Sequence, residues 1–126
     1  MNKSAMHAEV RKASSFDEHE TPEHCYILEV ANDSGDEFVS IARARVKAGI
    51  TTALHRVRGT SERYVIVSGV GRVEVAGLDV VEVTAGDVVR IPPDTPQRIT
   101  NIGTTDLIFY CVCTPRFKQQ CYELLE

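Results

Sequence analysis

Short apolar runs rich in β-branched and aromatic residues alternate with glycine- and proline-containing turns along most of the chain. The runs are strand-sized, and the turn residues recur at regular intervals from about residue 32 to residue 106. Several short strands separated by regular turn signals are typical of all-β sandwiches and closed barrels. The sequence therefore predicts one all-β domain, built as a small antiparallel barrel.

Nine strands are predicted from this pattern, and only the tail of the chain is predicted to be helical. Pro92, Pro93 and Pro96 exclude a central strand between residues 92 and 96, because proline cannot donate the backbone hydrogen bonds that such a strand needs. In the tail, apolar residues at 117, 121, 124 and 125 would share one helical face, and Pro115 suits a helix start. The predicted strands cover residues 25–30, 38–46, 52–57, 64–68, 72–76, 80–83, 88–91, 97–100 and 107–114.

Three segments follow from these assignments. We expect an N-terminal arm over residues 1–24, a barrel over 25–115 and a helix over 116–126 that packs on the barrel. A helical turn capped by serine is predicted within the arm near residues 14–19. The acidic residues of the arm between 17 and 23 are expected to face solvent.

Length and charge limit the partners of the chain. A chain of 126 residues forms one domain, and its net charge of −4 argues against a nucleic-acid partner. No run approaches the roughly 18 apolar residues of a membrane helix, and the first residues lack the apolar segment of a secretory signal. We therefore expect a cytoplasmic protein with no membrane partner. The four cysteines lack the spacing of a zinc site and are predicted to be free buried thiols: Cys25, Cys111, Cys113 and Cys121.

Two glycine-punctuated stretches carry more information than the general strand pattern. In the first, Gly49, His55, Glu62 and Gly69 follow one another along two predicted strands. Residues i and i+2 of a strand face the same side, so His55 and Val57 are expected to point together into the barrel. Glu62 is expected to point inward from the next strand.

The second stretch begins at Gly86 and continues through Pro92 to Asn101. Asp94 and Gln97 lie between the proline and the asparagine. Gln97 is expected to face the interior from its strand, which would bring it toward the two polar residues of the first stretch.

Together these stretches resemble the paired motifs of the cupin superfamily, in its small single-domain form. The first cupin motif is a glycine, a His-x-His pair, a glutamate and a second glycine, and this chain departs from it only at Val57. The second motif runs glycine, proline, glycine, histidine and asparagine, and here Asp94 and Gln97 replace the inner glycine and the histidine. The resemblance implies a double-stranded β-helix, the jelly-roll barrel.

The resemblance also implies a metal site, which this chain retains only in part. In typical cupins the inward positions hold three histidines and a carboxylate, a donor set that suits Zn, Ni, Mn or Fe. Here His55, Glu62 and Gln97 are the candidate ligands, and Gln97 offers only a neutral amide oxygen. Three alternatives stay open: a weakly held divalent metal, a hydrogen-bonded polar cluster in an apolar barrel, or direct binding of an organic ligand.

Further candidates are placed by strand parity. Tyr64 shares the face of Glu62, and its hydroxyl would orient a ligand. Cys111 and Cys113 face one side together, and an inward pair would lie near the cavity. Arg43 and Arg45 would form an anion clamp if they faced inward. We expect them on the exterior, because residues 42, 44 and 46 make a better core face.

Two functions are compatible with these residues. In the first, the protein is a metal-assisted enzyme acting on a small acid or sugar derivative, with His55 and Glu62 as catalytic residues and Gln97 and Tyr64 as ligand-binding residues. Isomerase or lyase chemistry and dioxygenase chemistry are the types that the resemblance implies. In the alternative, the barrel binds or senses a metabolite or sugar without catalysis or a tightly bound metal. We also expect a homodimer formed through edge strands.

Overall fold

A computed structural model describes residues 6–126, and residues 1–5 of the predicted arm lie outside the described residues. Two 3-10 turns flank the strands, at Ala13–Ser15 and Gln119–Cys121. None of the helical segments within residues 6–126 is long and apolar enough to cross a membrane. The strands are β1 (His19–Glu20), β2 (Tyr26–Ala31), β3 (Ser40–Val46), β4 (His55–Val57), β5 (Ser61–Ser68), β6 (Gly71–Val75), β7 (Val81–Val83), β8 (Val88–Ile91), β9 (Gln97–Asn101), β10 (Leu107–Thr114) and β11 (Tyr122–Leu124).

The strands form two antiparallel sheets. The first has six strands in the order β1-β2-β3-β10-β5-β8, and the second has five in the order β11-β4-β9-β6-β7. Strands that are distant in the chain lie side by side, as where β10 pairs with both β3 and β5. This arrangement confirms the all-β antiparallel jelly roll that the strand pattern and the motifs predict.

The core lies between the sheets and follows strand alternation. On β5, Glu62, Tyr64 and Ile66 are buried, while the residues between them are partly exposed. Ile99 of β9 and Leu107 of β10 are fully buried and belong to the same cluster as Ile66. The two polar residues on the inner face of β5 are therefore set into an otherwise apolar interior.

The C-terminal segment is extended where the sequence predicts a helix over 116–126. The helical part is a single 3-10 turn, and β11 follows it and pairs with β4. Tyr122 lies opposite Val57 and Leu124 opposite His55. An isolated helix of this length is marginal in water, whereas the free edge of β4 offers backbone partners to an extended chain.

The N-terminal arm is attached to the barrel more closely than its composition indicates. Its predicted serine-capped turn is the 3-10 turn at Ala13–Ser15, which lacks a side-chain cap. Glu18 is half-buried and binds Arg45 at 2.6 Å, with Arg43 at 3.9 Å. The expectation that the acidic residues of the arm face solvent is therefore wrong for Glu18, and it is also wrong for Glu23, whose half-buried side chain lies 3.6 Å from His55. Both arginines lie on the outer face of β3, as expected, so they cannot clamp an anion inside the barrel.

Two turns explain motif positions of the sequence. Gly69 has φ of 89°, and a Cβ there would lie 2.7 Å from the backbone oxygen of Asp106, so only glycine fits. Asp94, at the place of the motif's inner glycine, has φ of 63°. Its carboxylate accepts a hydrogen bond from the Gly59 amide at 3.2 Å, which compensates part of the strain of a left-handed residue.

Candidate functional site

Strand pairing brings the predicted site residues together between the two sheets. His55 on β4 lies directly opposite Gln97 on β9 in the five-stranded sheet. Glu62 and Tyr64 reach them from β5 in the six-stranded sheet. All four are at least nine-tenths buried. The structure therefore confirms that these four side chains point inward, as predicted.

A hydrogen-bonded chain joins three of the four. The Tyr64 hydroxyl donates a short hydrogen bond to Gln97 Oε1. Gln97 Nε2 donates in turn to Glu62 Oε1 at 2.6 Å. Both ends of the Gln97 amide are thus committed within the protein, and one carboxylate oxygen of Glu62 is fixed in place.

The surroundings of Glu62 shift the pKa of its carboxyl. Burial raises the pKa of its carboxyl above the ordinary 4.5, while the charge of His55 and the hydrogen bond from Gln97 act against that rise. Its second oxygen, Oε2, meets the Cys113 thiol at 3.8 Å, and a thiol is a weak donor. A buried carboxyl with a raised pKa is a candidate for proton exchange with a bound molecule.

His55 is fixed from three sides. Its Nδ1 lies 2.8 Å from the Ala53 carbonyl, which can only accept, so Nδ1 carries a proton and the neutral ring keeps its lone pair on Nε2. Glu23 Oε2 lies 3.6 Å from the same nitrogen. The ring stacks on Tyr122 with centroids 4.9 Å apart. These contacts fix both the ring plane and the tautomer.

A cavity of about 390 Å³ opens beside this cluster. Of the predicted site residues, only Glu62 lines it, while His55, Tyr64 and Gln97 stand behind the wall. The two terminal segments close the cavity, with Glu23 from the N-terminal side and Phe117 and Tyr122 from the C-terminal side. The further lining residues are His19, Glu20, Thr21, Pro22, Ile27, Glu29, Asn32, Ser40, Ala42, Cys111, Cys113 and Gln119.

The thiols of β10 face this cavity. Cys111 and Cys113 both line the cavity, so the pair faces inward, which strand parity alone did not decide. Burial and the nearby Glu62 carboxylate raise the pKa of both thiols well above the ordinary range. All four cysteines are free, as predicted, but Cys111 and Cys121 are only partly buried, so the expectation of buried thiols holds for Cys25 and Cys113 alone. Thiols held in the neutral form are poor nucleophiles, so Cys111 and Cys113 form part of the wall rather than a reactive pair.

Sequence reasoning missed two residues of the site. Glu23 belongs to the arm, and its backbone oxygen accepts a hydrogen bond from Ala53 at 3.0 Å, which holds it beside His55. Burial raises the pKa of its carboxyl, and the charge of His55 opposes that rise. Tyr122 lies in the segment predicted as a helix. Their places depend on how the termini dock, which no local pattern in the sequence reports.

The donor set does not fit a tightly held metal ion. Val57 is buried and apolar at the place of the second histidine. The Gln97 oxygen that would ligate a metal already accepts from Tyr64. Within residues 6–126, no group of three or more His, Cys, Asp or Glu side chains is arranged to hold a metal. Of the three alternatives left open by the sequence, a hydrogen-bonded polar cluster describes this geometry best.

The sequence and fold match known proteins. A family model described as the Cupin domain matches residues 42–113. An uncharacterized protein of Methanocaldococcus jannaschii is 37% identical over 87 residues, which span 69% of each chain.

Two solved structures share the fold. A predicted oxalate decarboxylase from Thermotoga maritima superposes with a TM-score of 0.76 at 23% identity, covering 85% of this chain and 99% of its own. A Streptomyces PAC13 variant with uridine superposes with a TM-score of 0.76 at 17% identity, covering 96% and 93%. Pac13 is described as a nucleoside dehydratase. At such identities these structures establish the fold alone.

Proposed function

Because the chain belongs to the Cupin domain family, we propose that it binds a sugar-like molecule in the cavity beside Glu62 and moves a proton on it. Glu62 is the acid and base that touches the ligand. His55 stands behind the wall opposite Gln97, and in its protonated form its charge opposes the rise of the Glu62 pKa. Tyr64 and Gln97, expected from the sequence to bind the ligand, instead position Glu62. Cupin relatives act on small molecules, among them a nucleoside dehydratase.

The observation that carries the proposal is the position of Glu62. It is the one predicted site residue in the cavity wall, and Gln97 fixes one of its oxygens at 2.6 Å. A carboxyl held in one orientation at the edge of a cavity is poised to take a proton from a bound molecule and return it.

The cavity lining favours a sugar derivative over a small acid. Carboxylates in the wall would repel an anionic ligand. Among the neutral polar side chains of the wall, the hydroxyls of Thr21 and Ser40 can make a further hydrogen bond beyond those to Cys25 and Phe117, and Gln119 adds an amide, so these groups suit ligand hydroxyls. The aromatic rings of Phe117 and Tyr122 also line the cavity and offer apolar faces to a sugar ring.

The chemistry that we favour is that of an isomerase or lyase. Proton removal from a carbon beside a carbonyl, followed by return of a proton, needs only an acid and a base, which Glu62 supplies in turn. Dioxygenase chemistry needs a redox centre, and the committed amide of Gln97 and the apolar Val57 are poor ligands for one.

A second candidate is a binding module without catalysis. The burial of His55, Tyr64 and Gln97 behind the cavity wall favours it, because only one of the four predicted site residues then reaches the ligand. The two candidates differ in whether a proton of the bound molecule exchanges with solvent.

The test is deuterium exchange into bound ligands. A panel of aldoses, ketoses and nucleosides including uridine is first screened for binding by thermal shift. Each binder is then incubated with protein in D2O containing EDTA, and loss of carbon-bound protons is followed by NMR. We expect exchange with the native protein and none with Glu62→Gln, while Glu82→Gln, an exposed carboxylate on β7, keeps it. Binding without exchange would favour the binding module.

Assembly and location stay predictions. We propose a homodimer, as expected from edge-strand pairing, in the cytoplasm. Light scattering of the purified protein measures the first, and fractionation of native cells measures the second.

A further inference from the structure

The wall of the cavity is acidic. Four carboxylates line it: Glu20, Glu23, Glu29 and Glu62. No lysine or arginine within residues 6–126 belongs to the lining. The four carboxylates come from three different strands and the β1–β2 loop, so the fold, rather than one run of sequence, brings them around one space.

Several arginines are paired with carboxylates on the outer surface. Arg45 binds Glu18 and Asp106, and Arg98 binds Glu74 at 2.9 Å. The carboxylates that line the cavity have no arginine placed in this way.

The carboxylates in the cavity have no such partner. Across the part of the chain that the structure describes, none of the four lies within 4.0 Å of a lysine or arginine nitrogen, and Glu23 has only His55 at 3.6 Å. Glu29 accepts a hydrogen bond from Asn32 at 3.3 Å. The cavity carboxylates therefore lack a lysine or arginine partner, and His55 is the cationic side chain that lies beside Glu23 and acts on Glu62.

Glu62 is the most deeply buried of these four carboxylates. Its residue is 6% exposed, and its Oε2 meets only the Cys113 thiol at 3.8 Å among the described residues. Removing a carboxylate from water is costly unless a cation pairs with it. A ligand that brings a positive charge to this oxygen would relieve that cost more than a neutral hydroxyl group would.

We propose that the sugar-like ligand of this cavity carries an ammonium group, which Glu62 and the neighbouring carboxylates bind. This inference rests on the proposed function, because it assigns the charge of the same ligand. An amino sugar combines the required parts: hydroxyl groups for the neutral polar lining, a ring face for Phe117 and Tyr122, and an ammonium group for the carboxylates.

The test compares sugars that differ in one substituent. Glucosamine, galactosamine and mannosamine are titrated beside their N-acetyl forms and the matching uronates. Binding is followed by 15N NMR through the backbone amides of Glu29, Ala42 and Cys111, which belong to the cavity wall. We expect each amino sugar to bind at least about tenfold more tightly than its N-acetyl form, and the uronates to bind most weakly.

The outcomes separate the two proposals. Equal affinity for amino and N-acetyl sugars would overturn the ammonium inference and leave the sugar-binding function standing. Tighter binding of the uronates would overturn the inference as well. If none of the nine compounds shifts a cavity amide, the proposed function itself fails.

Charge-removing variants identify the groups involved. Glu62→Gln and Glu29→Gln are each expected to lower the preference for amino over N-acetyl sugars severalfold. Glu82→Gln, outside the cavity, is expected to leave the preference unchanged. Glu29 is only partly buried, so its variant tests the inference even if Glu62→Gln folds poorly. A preference unchanged in both cavity variants would contradict the assignment.

Discussion

Replacing Gln97 by methionine is expected to remove the connection between Tyr64 and Glu62 while keeping the packing volume. In Gln97→Met the Tyr64 hydroxyl loses its acceptor and Glu62 Oε1 loses its donor. Each buried group left without a partner costs about 1–3 kcal/mol, so the variant should lose roughly 2–6 kcal/mol of unfolding free energy. Exposed Gln120 provides the matched control, since Gln120→Met should change stability by less than about 0.5 kcal/mol.

A double-mutant cycle separates the hydrogen bonds from packing. Tyr64→Phe alone leaves the Gln97 oxygen without its donor and should cost about 1–3 kcal/mol. In the double variant of Tyr64 and Gln97, the orphaned hydroxyl and the orphaned amide oxygen both disappear. The double variant should therefore be more stable than the sum of the single costs predicts, by roughly 2–6 kcal/mol.

Urea unfolding followed by far-UV circular dichroism measures these values. With an m-value of about 1–3 kcal/mol per M, Gln97→Met should lower the midpoint by roughly 1–3 M. The reasoning is refuted if Gln97→Met costs no more than Tyr64→Phe and the two costs add.

Two further predictions concern a turn and a titration. Gly69→Ala and Gly77→Ala both place a side chain at a φ near 90°, which costs about 1–3 kcal/mol. Only at Gly69 does the new Cβ meet backbone, at 2.7 Å, whereas nothing lies within 4 Å at Gly77. Gly69→Ala should therefore lose about 1–3 kcal/mol more in urea unfolding, and equal losses would contradict the packing at this turn. Because the folded pKa of Glu62 is raised above 4.5, the unfolded chain binds fewer protons there, and Glu62 destabilises the fold increasingly as pH rises from 4.5 through the folded pKa. Glu62→Gln should thus gain stability relative to the native protein over that window, and parallel stability curves between pH 4 and 8 would contradict the raised pKa.

Strand alternation is a local signal, which is why much of the site could be predicted from the sequence. The inward positions of His55, Glu62 and Gln97 follow from residue parity within single strands. The glycines of the two motifs indicated where the turns lie. At Gly69 the structure shows the physical reason, because a Cβ there would clash with the backbone. Tyr64 was placed correctly by parity alone.

The rest of the site depends on docking between distant segments. Glu23 reaches His55 through a backbone hydrogen bond to Ala53, a contact 30 residues away in the chain. The apolar spacing of the tail indicated a helix, but pairing with the free edge of β4 extends it and brings Tyr122 onto His55. Nor could the sequence predict that Glu62 is the one of the four predicted site residues in the cavity wall, because the position of the cavity depends on both termini together.

Metal content decides whether the Tyr64–Gln97–Glu62 chain stands where a metal centre would otherwise lie. The purified native protein is loaded with Zn, Ni, Mn and Fe in turn, desalted and measured by elemental analysis, beside a Val57→His/Gln97→His double variant. We expect well below one metal per native chain, with binding gained by the double variant, which restores two imidazoles and releases Glu62. One metal per native chain, lost in Glu62→Ala or His55→Ala, would contradict this expectation.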